Sequence, residues 1–391
     1  MNVRVKIEQE YVFLAWRKPQ IDTNFCCQVS VFMDQRSALN SPQTDSRRSF
    51  LKVAGAAVAG SFFAPAILGA EDKAGTKPPI LGEGAFQYEA IHNWGDVPKH
   101  IQWGETHGVC VDSAGLVYIK HRSKSKTPMD AIVVFDPAGK FVRSFGKEYH
   151  GGGHGIDVRK EGSDEFLYLS DTKHGVVSKT SLTGEVVWTI GRPENPEPYK
   201  DTKQRYSPTN IAFAPDGGFY VGDGYGSHYI HKYTKEGKPE FFWGGSGTEP
   251  GKLKTPHGMW LDERDGTPKI AVCDRANHRL QYFSLEGNHL GFVNAVSFPA
   301  DIDIQGDIMV VSDLHARVTL FDKQNKVITH LGYDQDWTNK VLDGFKVRTQ
   351  PETWQAGRFV HPHDACFDQT GNLFVTEWVS IGRVSKLKKL S

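Results

Sequence analysis

The stretch Pro256–Asp274, PHGMWLDERDGTPKIAVCD, reads as two short strands around a turn. Apolar and polar residues alternate in HGMWLD, an Asp/Gly-rich segment breaks the run, and a second apolar run, KIAVCD, ends on an acid. The same sentence is written five more times. THGVCVDSAGLVYIKH starts at Thr106, GHGIDVRKEGSDEFLYLSD at Gly153, PTNIAFAPDGGFYVGD at Pro208, PADIDIQGDIMVVSD at Pro299 and PHDACFDQTGNLFVTE at Pro362. A third strand and another turn follow most of them, as in HRLQYFSLEGNHL and ARVTLFDKQNKVI. The starts are about 43–63 residues apart, the period of a propeller blade. No stretch keeps a 3.6-residue period. The pattern predicts an all-β chain, a six-bladed β-propeller closed in a ring over residues 71–391.

Composition agrees. The 391 residues include 40 Gly and 20 Pro with 12% aromatics, a turn-rich β mixture. Lys+Arg and Asp+Glu are equal at 46 each, which argues against nucleic acid or an anionic membrane as main partner. A hydrophobic fraction of 39% excludes a polytopic membrane protein. No nucleophile elbow, Walker loop or dinucleotide fingerprint occurs.

Residues 1–70 read as an N-terminal extension and signal. SRRSFLK at Ser46–Lys52 precedes the small apolar run VAGAAVAGSFFAPAILGA, as in a twin-arginine export signal. Cleavage is expected after Ala66 or Ala70, and Met33 is an alternative start. The expected location is the periplasm or beyond, with the twin-arginine machinery as partner and no membrane span after cleavage. An uncleaved anchor is the alternative. Cys110, Cys273 and Cys366 would remain, too few and too odd for a disulfide framework, and read as buried small hydrophobes.

The repeat makes positions comparable between blades. The residue opening each innermost strand is His107, His154, Thr209, His257, Ala300 or His363. Side chains there converge on the axis, and four of the six are His in a chain with 16 His. Converging neutral imidazoles with one open position suit a catalytic metal, above all Zn²⁺. Satisfying nearby carbonyls is the alternative role. Asp171, Asp223, Asp274 and Asp313 recur at the ends of the second strands and read as turn hydrogen-bonders.

These repeats resemble the NHL family over residues 85–391. More specifically, His154-Gly155-Ile156, Pro256-His257-Gly258 and Pro362-His363-Asp364 resemble the metal-binding segments of the peptidyl-α-hydroxyglycine α-amidating lyases. That resemblance implies zinc on His154, His257 and His363. It implies a catalytic Tyr225 in GDGYGSHYIHKYTKEGK, a catalytic Arg122 in YIKHRS, and a further active-site Arg275 in CDRANHRLQYF. It also implies a structural Ca²⁺ on the carbonyls of Val109 and Ile156 and the carboxylate of Asp364, which are suitable hard ligands. The implied reaction splits an N-acyl-α-hydroxyglycine, small molecule or peptide, into an amide and glyoxylate. There Tyr225 would take the hydroxyl proton, Arg122 would hold charge near the reacting centre, and Arg275 would pair with the substrate carboxylate. The chain departs from the family at His107 and His361, two additional imidazoles expected near the metal, and in lacking its disulfides. Two other functions stand beside this one: a non-catalytic propeller binding protein or glycan, and a propeller lactone hydrolase. The His-dominated ring argues against the latter, whose Ca²⁺ site uses acidic and Asn side chains.

Overall fold

The computed structural model describes residues 77–194, 197–201 and 203–390. The extension and signal assigned to residues 1–70 lie outside them.

Six antiparallel sheets follow one another around an axis, each with its innermost strand against the axis. The innermost strands are Glu105–Val111, Gly153–Glu161, Asn210–Phe213, Pro256–Asp262, Pro299–Gln305 and Pro362–Phe367. The first five sheets then step outward in chain order. In the fourth blade the order is Pro256–Asp262, Lys269–Asp274, Arg279–Phe283 and His289–Val293. The alternation in the sequence forms these elements because each blade buries both faces against its neighbours. Ile132–Phe135, IVVF, is wholly buried for that reason. Between the fifth and sixth blades Val310, Val318, Leu320 and Leu331 pack on Tyr88, Leu373, Val375 and Leu387. Each such side chain contributes about 1.5–3 kcal/mol.

Two features lie outside the repeat. The sixth repeat supplies three strands, and its fourth comes from Gln87–His92, paired from Gln87↔Leu390 to His92↔Ser385. This strand closes the ring, and Ile80–Leu81 extends the same sheet. Between the fifth and sixth blades runs a segment with one α-helix, Gln335–Leu342, where no helical period was legible, and two short 3-10 helices, Lys346–Thr349 and Pro351–Thr353. Asp334 caps it, accepting the Trp337 N–H at 2.8 Å.

The strand-end acids hold turns, as expected. Asp223 accepts from the amides of Ser207 and Ser227, and Asp313 from those of Ser297, Phe298 and His315. Each ties the loop after its second strand to the segment entering the blade. Cys110, Cys273 and Cys366 are free and buried.

Candidate metal centre

Each blade's innermost strand begins on one face of the ring, so its opening residue stands at the channel mouth. His107, His154, His257 and His363 are all buried there, none more than 3% exposed. The rings of His154, His257 and His363 form a near-equilateral set, with centroids 4.6, 4.8 and 4.9 Å apart. His107 joins it, 4.4 Å from the His363 ring and 5.4 Å from that of His154.

Three of the four are oriented in one way. His154 Nδ1 donates to the carbonyl of Thr209 at 2.6 Å, His257 Nδ1 to that of Ala300 at 2.6 Å, and His363 Nδ1 to that of His107 at 2.8 Å. Each acceptor is the equivalent residue of the following blade. A carbonyl can only accept, so Nδ1 carries the proton and Nε2 keeps a lone pair. This is how a metal-binding imidazole is held in place. Burial, followed by the Arg275 charge, lowers His363 to about 3. Burial pushes His107, His154 and His257 well below their usual value, aided by Arg122, His363 and Arg275 respectively. All four are neutral at pH 7, the form that ligates.

Tyr225 stands over this set. Its hydroxyl is 3.3 Å from His154 Nε2 and 3.1 Å from His257 Nε2, and Arg275 Nη2 donates to it at 3.0 Å. The Tyr225 backbone sits in the turn that Asp223 holds, and the side chain is 38% exposed, so it borders solvent. The Arg275 guanidinium lies between the rings of Tyr225 and Phe298, 5.2 and 5.3 Å from their centroids. Arg122 is on the rim, bonded weakly to the Gly153 carbonyl and Thr172 Oγ1 at 3.4 Å each. Its Nη1 is 3.7 Å from Glu105 Oε2.

Sequence reasoning missed Glu105, Lys124 and Arg348. The buried Glu105 carboxylate bonds Lys124 at 2.8 Å and Arg348 at 2.7 Å, and Arg348 stacks on Trp378 with its guanidinium carbon 3.5 Å from the ring centroid. Burial alone would raise Glu105, but the Lys124 hydrogen bond and the Arg348, Lys124 and Arg122 charges together hold it below the usual range. Glu105 directly precedes a repeat, so its place was readable; Arg348 belongs to the segment between blades, where no repeat fixes position.

His361 stands apart from the imidazole set. Its Nδ1 donates to the Leu314 carbonyl at 2.7 Å, and its ring packs on Phe345 and Trp378. Of the two extra imidazoles expected near the metal, the structure brings in His107 alone.

Deeper in the channel are Asn210, Asp301 and Asp364, then Asp157 and Asp303. Asp364 Oδ2 accepts the Val109 N–H at 2.8 Å, and Asn210 Nδ2 bonds both oxygens of Asp301. Burial, then mutual repulsion, raises Asp157, Asp301 and Asp364, and burial takes Asp303 to about 7. Neighbouring strands approach closely here: a Cβ on Gly108 would lie 2.6 Å from the His154 carbonyl oxygen. Two surface clefts, around Ser113–Thr183 and Asp265–Asn325, are lined by none of the four imidazoles.

Among the described residues, no helix is long and apolar enough to cross a membrane. No family model matches the sequence. Over 207 residues the chain is 30% identical to human NHL repeat-containing protein 3, covering 50% of this chain and 58% of that protein. It is 27% identical over 238 residues to the mouse peptidyl-glycine alpha-amidating monooxygenase, covering 54% and 23%. With peptidyl-alpha-hydroxyglycine alpha-amidating lyase 1 of Drosophila melanogaster it shares 27% over 217 residues, covering 47% and 38%. The chain thus spans less than two thirds of the length of each of these relatives. A solved gluconolactonase from Xanthomonas campestris is alike in fold, with a TM-score of 0.54 at 13% identity, covering 80% of this chain and 95% of that one. The chain is a six-bladed β-propeller with sequence relatives among the NHL-repeat proteins and the peptidyl-α-hydroxyglycine α-amidating lyases.

Proposed function

We propose that the protein is an exported, metal-dependent lyase that splits an N-acyl-α-hydroxyglycine into an amide and glyoxylate. The observation that carries this reading is the three-fold set of imidazoles, each with Nδ1 bound to a carbonyl of the next blade and Nε2 keeping its lone pair, beneath a tyrosine bonded to an arginine. The relatives that are amidating lyases and monooxygenases support it.

The residues fit a zinc ion: neutral nitrogen donors from His154, His257 and His363 are the ligand type it takes. Bound there, zinc would act as a Lewis acid on the substrate hydroxyl oxygen. Tyr225 Oη, beside two of those imidazoles, removes the hydroxyl proton. As the C–O bond gains double-bond character the C–N bond breaks, the amide nitrogen takes up a proton, and glyoxylate leaves. Arg275 donates to the phenolic oxygen as it changes charge, and its guanidinium would pair with a substrate carboxylate. Arg122, at the rim, adds positive charge where the substrate enters. The carboxyl cluster below, where Asp364 accepts the Val109 N–H, fits a structural Ca²⁺ with the Val109 and Ile156 carbonyls as its further ligands, because a hard cation offsets the repulsion among buried carboxyls.

SRRSFLK and the apolar run after it support twin-arginine export to the periplasm or beyond. The test is glyoxylate release from α-hydroxyhippurate by the metal-loaded protein. Release that is lost in His257→Ala supports the reading. No release by wild type, at full metal loading, sinks it and leaves a binding propeller.

A further inference from the structure

His107 is built unlike the other imidazoles of the mouth. His154, His257, His361 and His363 each donate Nδ1–H to a backbone carbonyl. His107 has no carbonyl partner: its Nδ1 lies 3.2 Å from His363 Nε2, and its Nε2 is buried with no hydrogen-bond partner. That Nε2 faces Glu105 Oε2 at 3.7 Å. His361 Nε2 is likewise buried without a partner, so what sets His107 apart is its Nδ1, which meets another imidazole's Nε2 where the others meet a carbonyl.

We propose that His107 Nδ1 is a fourth imidazole ligand of the same ion, with Glu105 as the residue that orients it. This rests on the metal-site reading. Two nitrogens each about 2.0–2.1 Å from one ion lie roughly 2.9–3.4 Å apart between a right angle and a tetrahedral one. The His107–His363 separation of 3.2 Å falls within that span. The ligating atoms of His107, His154 and His363 all lie within 4.8 Å of one another, a group that does not include His257, whose ring is 4.6 and 4.8 Å from those of His154 and His363. Nδ1 as ligand places the remaining proton on Nε2, facing a carboxylate, the usual partner of a metal-bound imidazole. The Glu105 carboxylate is itself fixed by Lys124 and Arg348, so the orientation is held from behind.

The consequence is chemical. Four imidazoles leave a tetrahedral ion no open position, so an ion that also takes substrate accepts a fifth ligand. The centre then suits a divalent first-row transition ion tolerant of five ligands, and zinc only by expanding its coordination.

The experiment uses the full chain loaded with zinc and, separately, with cobalt(II). X-ray absorption counts the imidazoles, the cobalt d–d bands report coordination number, and chelator competition gives the metal Kd. Four imidazoles are expected in wild type and three in His107→Ala, with Kd raised about 10–100-fold. Glu105→Gln is expected to keep the count and weaken binding about tenfold. His107→Gln, close in volume, carries the test if the alanine variant does not fold by circular dichroism. Three imidazoles in wild type, or a count and Kd unchanged in both His107 variants, overturn the proposal while leaving the lyase reading intact. A wild type that binds no metal overturns both. Four imidazoles without glyoxylate release uphold this proposal and sink the lyase alone.

Discussion

An imidazole has two nitrogens, and at the channel mouth each has its own task. Four histidines are legible as a converging set from their blade-equivalent positions, because the repeat fixes their height in the ring; only the family resemblance singles out three of them as ligands. What the repeat could not show is which nitrogen is free; the carbonyls of Thr209, Ala300 and His107 decide that. Nor could it separate His361 from His107, since both lie within two residues of a ring position or on one. Two groups beyond the metal are open to test at this scale. Tyr225→Phe is expected to lower kcat by about 10²–10⁴-fold, the usual worth of a positioned base, with metal content unchanged; full activity would remove the base assignment. Arg275→Ala removes a charge-assisted contact worth about 1.5–3 kcal/mol, or roughly 10–150-fold in kcat/KM. Steady-state kinetics on α-hydroxyhippurate and on its decarboxylated analogue check it: the loss is expected to be larger for the substrate that carries the carboxylate.

At the scale of the element, the legible parts are those with a period and the illegible ones are those without. The alternating strands and their Asp/Gly turns appear where expected. The strand Gln87–His92 resembles no repeat, and its partners are about 300 positions away, so nothing local announced it. The helix Gln335–Leu342 has only eight residues, two turns, too few for a period to register. Tyr88 tests the closing strand, since it is 1% exposed and packs on the core between the fifth and sixth blades. Tyr88→Ala is expected to cost about 3–5 kcal/mol, seen as a lower urea midpoint with an unchanged slope. A change below about 1 kcal/mol would mean that the ring does not depend on this strand.

At the scale of the whole molecule, burial of ionisable groups sets the pH range of the metal-free protein. Burial takes His92 and His363 to about 3, and His121, His231 and His361 to about 4. Unfolded, these groups titrate near pH 6.5, so the unfolded chain alone takes up protons below that pH. Stability therefore falls between about pH 6.5 and pH 3–4. The channel carboxyls act in the opposite sense. Asp303, raised to about 7, stabilises fully below the unfolded value near 3.9, and its contribution is lost as pH rises through 7. Added calcium is expected to raise Tm more at pH 8 than at pH 5, where protons compete for the same oxygens; equal rises at both would count against carboxylate coordination. The seam between first and last blades bears on how the protein is made. The bond from His363 Nδ1 to the His107 carbonyl joins the last blade to the first, across the junction that Gln87–His92 closes. The imidazole set is therefore incomplete in any chain whose two ends have not met: an emerging polypeptide holds at most two correctly aimed imidazoles until its final blade is made. On the proposed function, ion capture would be the last act of assembly, and a bound metal would report that the circle is finished.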